Sequence, residues 1–510
     1  MGHFKTRFTK NPVFSISAAI SLFICAWGVL HAESFKQMAD SLMSGLKDHF
    51  SWFYLTAMLF FLLFDFFLAF SKWGKIKLGN DNDVPEYSLF SWFAMLFAAG
   101  MGIGLVFWGV AEPLSHYVAP PGNIPPKTIE AEHFSIRTCF MHWGLHPWGA
   151  YALMGLGLAL FQFRKKSPGL VSSLLQPFFR KRKYVPVWLA NTVNIYTVIL
   201  TVIGVATSLG MGCLQICEGL NLLAGVPNNI IIWYIFIAII CVIYLTDAVS
   251  GIDKGIKILS DANLLLFVGL MVLVFIIGSK TQILKNLFCG LCDYIVHFFP
   301  DSLKMSFNGD TSWILNWRMF YWAWWISWMP FVGVFIARIS RGRTIREFII
   351  GVTVIPTLAS CIWFAIMGTV SFQAAKYYTT SELLELINKP QTTLYYIFQQ
   401  FPLGKILCGI AMILLVCFFI TSADSATYVL AMNTSGGNLN PPNRMKIFWG
   451  ILIAAMASAL IAAGDLSVIQ AVSIVSAFPY IILLLIFCIS LAITLKTEPV
   501  TTIHSKEKTT

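Results

Sequence analysis

Six aromatic rings crowd into nine residues, Phe320-Tyr321-Trp322-Ala323-Trp324-Trp325-Ile326-Ser327-Trp328. Tyr321, Trp325 and Trp328 stand at i, i+4 and i+7 and share one face of a helix. Electron-rich ring faces on one buried side suit a cation with no N–H to donate. A quaternary ammonium is held by ring quadrupoles, and carboxylate hydrogen bonds are of no use to it. Two plainer readings compete, an aromatic packing stripe and an interfacial belt. The enclosing apolar run, 313–338, sets Trp324, Trp325 and Trp328 near its middle, away from either headgroup layer, which argues against the belt.

Trp143, Trp148 and Tyr151 form a second group in the stretch from His142 to Tyr151. It lies in the outer half of another apolar run, above the level of the first, where an outer cage, an entry route and a belt all suit the pattern. His142 and His146 are expected as satisfied structural histidines rather than proton carriers. A third cluster, Phe418-Phe419-Ile420-Thr421-Ser422-Ala423-Asp424-Ser425-Ala426-Thr427, sets hydroxyls and a carboxylate inside an apolar run. Isolated Ser and Thr there usually bond back to their own helix; a dense cluster with an ionisable member points to function. Sodium takes hard oxygen ligands, which hydroxyls and the carbonyls of a broken helix supply. Gly100-Met101-Gly102-Ile103-Gly104 offers such a break, and with it free backbone N–H groups for an anionic substrate head. Close helix packing is the plainer use of those glycines. No His/Cys/carboxylate constellation is expected at membrane depth, which speaks against an enzyme.

The elements that must position these residues are membrane helices. The 510 residues are 57% hydrophobic and 12% charged, with 35 Lys+Arg against 24 Asp+Glu, a net charge of +11. An ordinary soluble domain is about 25% charged, so a soluble enzyme, a nucleic-acid binder and a disordered chain are all excluded. About twelve apolar runs approach the roughly 20 residues that a crossing needs. They lie near 13–31, 52–71, 88–110, 139–163, 190–213, 229–247, 262–279, 313–338, 347–372, 402–431, 446–464 and 471–495. Lys and Arg gather before run 1 and after runs 2, 4 and 8, and are absent from 214–228 and 465–470, so both termini are expected in the cytoplasm. Arg338, Arg341, Arg343 and Arg346 after run 8 are expected as anchors and loop ion-pair formers. The first run is long enough to span and has no convincing cleavage site. The eleven cysteines, including the single Cys289–Cys292 pair, make neither a zinc pattern nor a disulfide framework.

Residues 282–299 place Leu284, Leu287, Leu291, Ile295 and Phe298 at helical spacing, with Asn286, Asp293 and His297 mostly opposite. That suits a helix lying in the interface. It separates runs 3–7 from runs 8–12, and two tandem five-helix units have inverted topology. The same plan expects a broken or Gly/Pro-interrupted helix at matching places: the glycine run of span 3 and Pro330–Gly333 of span 8. The expected divisions are 1–87 (tail and two added helices), 88–280 (first repeat), 281–312 (interfacial helix), 313–495 (second repeat) and 496–510 (short tail).

Gly100–Gly104 with Phe107-Trp108-Gly109-Val110-Ala111-Glu112-Pro113, and the stretch from Phe320 through Phe331-Val332-Gly333 to Ala337-Arg338-Ile339-Ser340-Arg341-Gly342-Arg343-Thr344, closely resemble the signatures of the betaine/choline/carnitine transporter (BCCT) family. The resemblance covers essentially the whole chain. It implies an all-α polytopic membrane protein with twelve transmembrane helices, a LeuT-like inverted repeat plus two N-terminal helices, a homotrimer in the bacterial inner membrane, and a quaternary-ammonium substrate. By that resemblance the central cage is Phe320, Trp324, Trp325 and Trp328, and the outer aromatic site is Trp143, Trp148 and Tyr151. One sodium ion is expected between spans 3 and 10, at the carbonyls of Ala98, Met101 and Phe418 and the hydroxyls of Thr421 and Ser422. A second is expected near Thr201 and Phe331, where Val205 replaces a Thr that the family pattern expects and offers no oxygen.

Proton-coupled choline members have Asp where this chain has Gly104. Gly102 and Gly104 leave backbone to meet a substrate carboxylate, which favours glycine betaine or a related zwitterion. The resemblance therefore implies a sodium symporter working by alternating access, with Na+ as coupling ion and no other cofactor. Proton-coupled choline uptake, sodium-independent carnitine/betaine exchange and a non-transporting sensor are the alternatives. The short tails lack a long basic helix, so strong osmotic activation is not expected.

Overall fold

The computed structural model describes residues 11–100, 102–179, 181–182, 184–250 and 253–499, without the side chains of 97–99, 253–260 and 465. Helix α1 (Pro12–Leu30) starts at a cap that its sequence dictates: Asn11 Oδ1 accepts from the Phe14 N–H at 3.2 Å, and Pro12 occupies the first turn, where its missing N–H costs nothing. The chain continues as α2 (Ala32–Phe70), α3 (Leu89–Gly100), α4 (Ile103–Val118), α5 (Ile129–Trp143) and α6 (Leu145–Ala159). Then come α7 (Val187–Ala224), α8 (Ile230–Ser250), α9 (Asp253–Ile277), α10 (Lys280–Val296) and α11 (Phe298–Leu303). After a π-helical turn follow α12 (Met319–Ile339), α13 (Ile345–Ala374), α14 (Thr380–Asn388), α15 (Pro390–Gln399), α16 (Gly404–Thr434) and α17 (Asn443–Lys496). Within α17, Gly464 at φ +139° divides Asn443–Gly464 from Leu466–Lys496, a backbone geometry that favours glycine.

Among the described residues nine helices are long and apolar enough to cross a membrane, or ten if the bent pair Asp261–Ile277 and Lys280–Val296 counts as one span. Each of the twelve apolar runs falls on helix, but runs 3 and 4 are divided. Helix α3 ends at Gly100 and α4 resumes at Ile103, while α5 and α6 meet at Gly144. A side chain at Gly144 would press on the Phe140 carbonyl and lie 2.9 Å from the Tyr294 hydroxyl. The expected break in span 3 is present; its counterpart is not, because α12 runs unbroken through Pro330. The expected loop at 214–228 is helical as far as Ala224, and 465–470 lies within α17.

The segment expected as an interfacial helix forms α10, which turns 114° from the preceding helix. Asn286 faces the protein, donating to Glu132 Oε1 at 2.7 Å and Thr369 Oγ1 at 2.9 Å, while Leu284, Phe288 and Ile295 are exposed. The amide is satisfied inside the protein, and the apolar side faces outward.

One end of the bundle carries a basic lock. Arg341 pairs with Asp83 at 3.1 Å, Arg343 with Glu347 and over the Trp92 ring at 4.0 Å, and Arg346 donates to the Ala69 carbonyl at 2.8 Å. Beside them Arg164 and Lys165 hold Glu498, and Arg164 also pairs with Asp81 at 2.8 Å. Burial pushes the Glu498 carboxyl up, but the hydrogen bonds and charges of Arg164 and Lys165 outweigh it and leave the group below its ordinary value. A depressed folded value means stability that is present above the unfolded glutamate pKa of about 4.3 and is lost as pH falls through the folded value. A pH series of thermal denaturation in detergent should show Tm falling in that acid range. Glu498→Gln should lower the neutral-pH Tm and remove that part of the acid dependence.

Candidate substrate site

The two aromatic groups expected at different depths form one assembly. On α12, Phe320 stacks on Trp324 (5.7 Å, 11°) and Trp324 on Trp325 (4.8 Å, 18°). Trp143, the last residue of α5, meets Trp325 edge-on at 4.9 Å and Trp324 at 6.0 Å. Tyr151 of α6 reaches Trp325 at 6.2 Å and Trp148 at 5.7 Å. Trp328 sits one turn further along, against Phe331 at 5.5 Å. The outer group is therefore not a separate layer. Helix α5 ends where α12 is richest in tryptophan, and the bend at Gly144 brings α6 alongside.

The glycines of the broken helix line the same place. A Cβ on Gly104 would collide with the Trp324 ring and lie 3.3 Å from Trp143, and one on Gly100 would collide with Trp148. Their hydrogen side chains let the backbone approach the rings.

Each of four indoles has its N–H engaged. Trp143 donates to Glu112 Oε2 at 2.7 Å, Trp324 to Ser208 Oγ at 3.2 Å, Trp325 to the His142 carbonyl at 3.0 Å, and Trp328 to the Gly204 carbonyl at 2.8 Å. Among the described residues the buried Trp148 N–H and Tyr151 hydroxyl have no hydrogen-bond partner.

Glu112 is the main residue that the sequence reading missed. It is wholly buried, accepts from Tyr321 OH and from His142 Nδ1 (2.7 Å), and lies 3.4 Å from His116 Nε2. A buried His/carboxylate group thus exists, contrary to the expectation that none would. The signal was an ionisable residue among apolar neighbours. The hydropathy reading ended span 3 at 110, whereas α4 runs to Val118. His142 is held through Nδ1 and His146 through Nε2, 3.0 Å from Ser302 Oγ; among the described residues the second nitrogen of each ring has no partner.

Of the expected sodium ligands, Met101 lies outside the described residues. Ala98 is in the last turn of α3, where carbonyls have no partner further along the helix. Ser422 Oγ stands 3.5 Å from where a Cβ on Gly102 would be, so α16 meets the helix break. Thr421 Oγ1 donates to the Cys417 carbonyl at 3.0 Å, with the Phe418 carbonyl at 3.3 Å, and accepts from Asn263 at 3.2 Å. At the second expected site Thr201 donates to the Thr197 carbonyl at 2.8 Å, and Val205 is buried beside it on α7.

A family signature described as BCCT, betaine/carnitine/choline family transporter, matches residues 12–500. The chain belongs to the BCCT family. It is 43% identical over 492 residues to the glycine betaine transporter OpuD of Bacillus subtilis (strain 168), covering 96% of this chain and 95% of that one. It is 42% identical to the ectoine/hydroxyectoine transporter of Virgibacillus pantothenticus (94% and 95% covered) and 37% identical to glycine betaine transporter 1 of Vibrio parahaemolyticus (96% and 94% covered). This BCCT chain is an integral membrane transporter and not an enzyme.

The contact between Gly104 and the rings has a measurable consequence. Gly104→Ala should displace Trp324 from Trp143 and cost roughly 1–3 kcal/mol by overpacking, read as a lowered Tm of the purified protein. Gly409→Ala, with no described atom within 4 Å of its added Cβ, should leave Tm unchanged.

Proposed function

We propose that this BCCT transporter imports glycine betaine, or a closely related methylated zwitterion, by sodium symport with alternating access. The observation that carries the reading is the assembly of Phe320, Trp324, Trp325, Trp328, Trp143, Trp148 and Tyr151 around bare glycine backbone. Stacked and edge-on rings supply the surface that a trimethylammonium head recognises. The amides at the break in span 3, together with the Trp148 N–H and Tyr151 O–H, are donors suited to the substrate carboxylate. The names of relatives support the same substrate class. All seven ring residues are at most 6% exposed, so substrate reaches them only after a conformational change, which supports alternating access.

Sodium coupling is supported by Ser422 of α16, which stands beside Gly102 at the break that follows α3, with Thr421 and Phe418 on the same helix. An ion there joins the two helices and biases the site toward its substrate-binding form. A second ion would sit near Thr201 and Phe331 with one ligand fewer, since Val205 brings no oxygen. The proposal includes twelve spans in a LeuT-like inverted repeat, both termini in the cytoplasm, residence in the bacterial inner membrane and a homotrimer.

Uptake of labelled glycine betaine into proteoliposomes should require an inward sodium gradient and be inhibited only weakly by choline and carnitine. Thr421→Ala should raise the sodium concentration for half-maximal uptake by about tenfold, the loss of one ligand. Uptake driven by a proton gradient or by internal substrate, and indifferent to sodium, would overturn the coupling.

A further inference from the structure

We infer that Glu112 is the positioning residue of the aromatic site: one buried carboxylate that fixes Trp143 and Tyr321 and raises the electron density of the rings that face the substrate's cation. The inference rests on the proposed reading of the site. Oε2 accepts from the Trp143 indole at 2.7 Å and from the Tyr321 hydroxyl, and Oε1 accepts from His142 Nδ1 at 2.7 Å. Those three donors come from α5 and α12, while Glu112 itself is on α4.

The fixation passes on to the remaining rings. The His142 carbonyl accepts from the Trp325 indole at 3.0 Å. The His142 ring stacks on Tyr321 (4.7 Å, 28°), and Tyr321 stacks in turn on Trp325 (6.1 Å, 23°). Trp143, Tyr321 and Trp325 are therefore tied to one acceptor directly or through one residue. A ring whose N–H or O–H donates to a carboxylate is polarised toward its face, and a more negative face attracts a quaternary ammonium more strongly. The carboxylate lies behind the rings, so it adds negative charge without competing for the contact surface. This gives a chain with glycine at 104 an anionic group near the cation.

A metal is the other chemistry that Glu112, His116 and His142 could serve, because one ligand atom from each lies within 4.8 Å of the others. The spacing favours the hydrogen bond. Two ligands of one zinc ion with bonds of about 2.0–2.2 Å stand roughly 3.3 Å apart, whereas His142 Nδ1 is 2.7 Å from Glu112 Oε1.

Glu112→Gln keeps the shape and removes the charge. In the purified, reconstituted transporter it should weaken glycine betaine binding at least about tenfold, with half-saturation by sodium changed less than about twofold. Ser135→Ala removes an equally buried hydrogen bond, from Ser135 Oγ to the Pro113 carbonyl at 2.7 Å, and should leave substrate affinity unchanged. A ligand-free readout separates this inference from the substrate assignment. With fluorotryptophan incorporated, the Trp143 fluorine resonance, assigned by Trp143→Phe, should move in Glu112→Gln. That of Trp92, which donates to Ser340 at 2.9 Å, should not. Should Glu112→Gln fail to fold, Tyr321→Phe removes one donor and keeps the carboxylate; it should still shift the Trp143 resonance and lower affinity several-fold. If the wild type binds no quaternary ammonium while the resonance still moves, the substrate reading falls and the positioning of Trp143 stands. A folded variant with an unmoved Trp143 resonance, or with unchanged affinity, would overturn the inference.

Discussion

A ring that is to hold a cation must keep its face clear while its polar edge is satisfied, and in a hydrocarbon interior no water is at hand to do the second job. The arrangement around α12 follows from that constraint. Trp143, Trp324, Trp325 and Trp328 each send the indole N–H to a fixed acceptor: a carboxylate, a hydroxyl and two backbone carbonyls. Two of the acceptors are tied to backbone features. Gly204 presents its carbonyl to Trp328 where α7 and α12 approach closely, since a Cβ there would lie 2.8 Å from the Ser327 carbonyl oxygen. His142 presents its carbonyl near the end of α5, where the helix stops at Gly144.

The breaks in α3/α4 and α5/α6 serve the same purpose from the other side. A continuous helix hides its amides and carbonyls inside its own ladder; a broken one exposes them at membrane depth, which is tolerated only where protein or ligand satisfies them. At Gly100–Gly104 the neighbours are the aromatic rings on one side and Ser422 on the other. One interruption thus adjoins both the aromatic site and Ser422 in the hydroxyl cluster of α16.

Much of this was legible in the sequence. Each apolar run falls on helix, and among the described residues nine or ten helices are long and apolar enough to cross a membrane; Trp324, Trp325 and Trp328 stand together on one of them. The glycine run announced the break in span 3. What sequence spacing could not supply was the relation between runs. Trp143 looked like a residue of an outer layer because depth was judged along its own run, while contact with Trp325 depends on where α5 ends. Pro330 looked like a second break, yet α12 continues through it. On α10 the spacing separates Asn286 from the apolar residues, but only the fold shows that it finds Glu132 and Thr369 inside the protein. Glu112 escaped because its run was closed two residues too early, and three donors converging on it from other helices leave no trace in the local sequence.

The central claim is that ring quadrupoles recognise a positive charge rather than merely a bulky apolar head. Glycine betaine and tert-butylacetate share shape and carboxylate and differ in the charge of the head group, so the comparison isolates that term. Their dissociation constants for the purified transporter in saturating sodium can be measured by calorimetry. The account predicts that glycine betaine binds at least about tenfold more tightly. Equal affinities would show that the aromatic assembly is an apolar pocket and would contradict it.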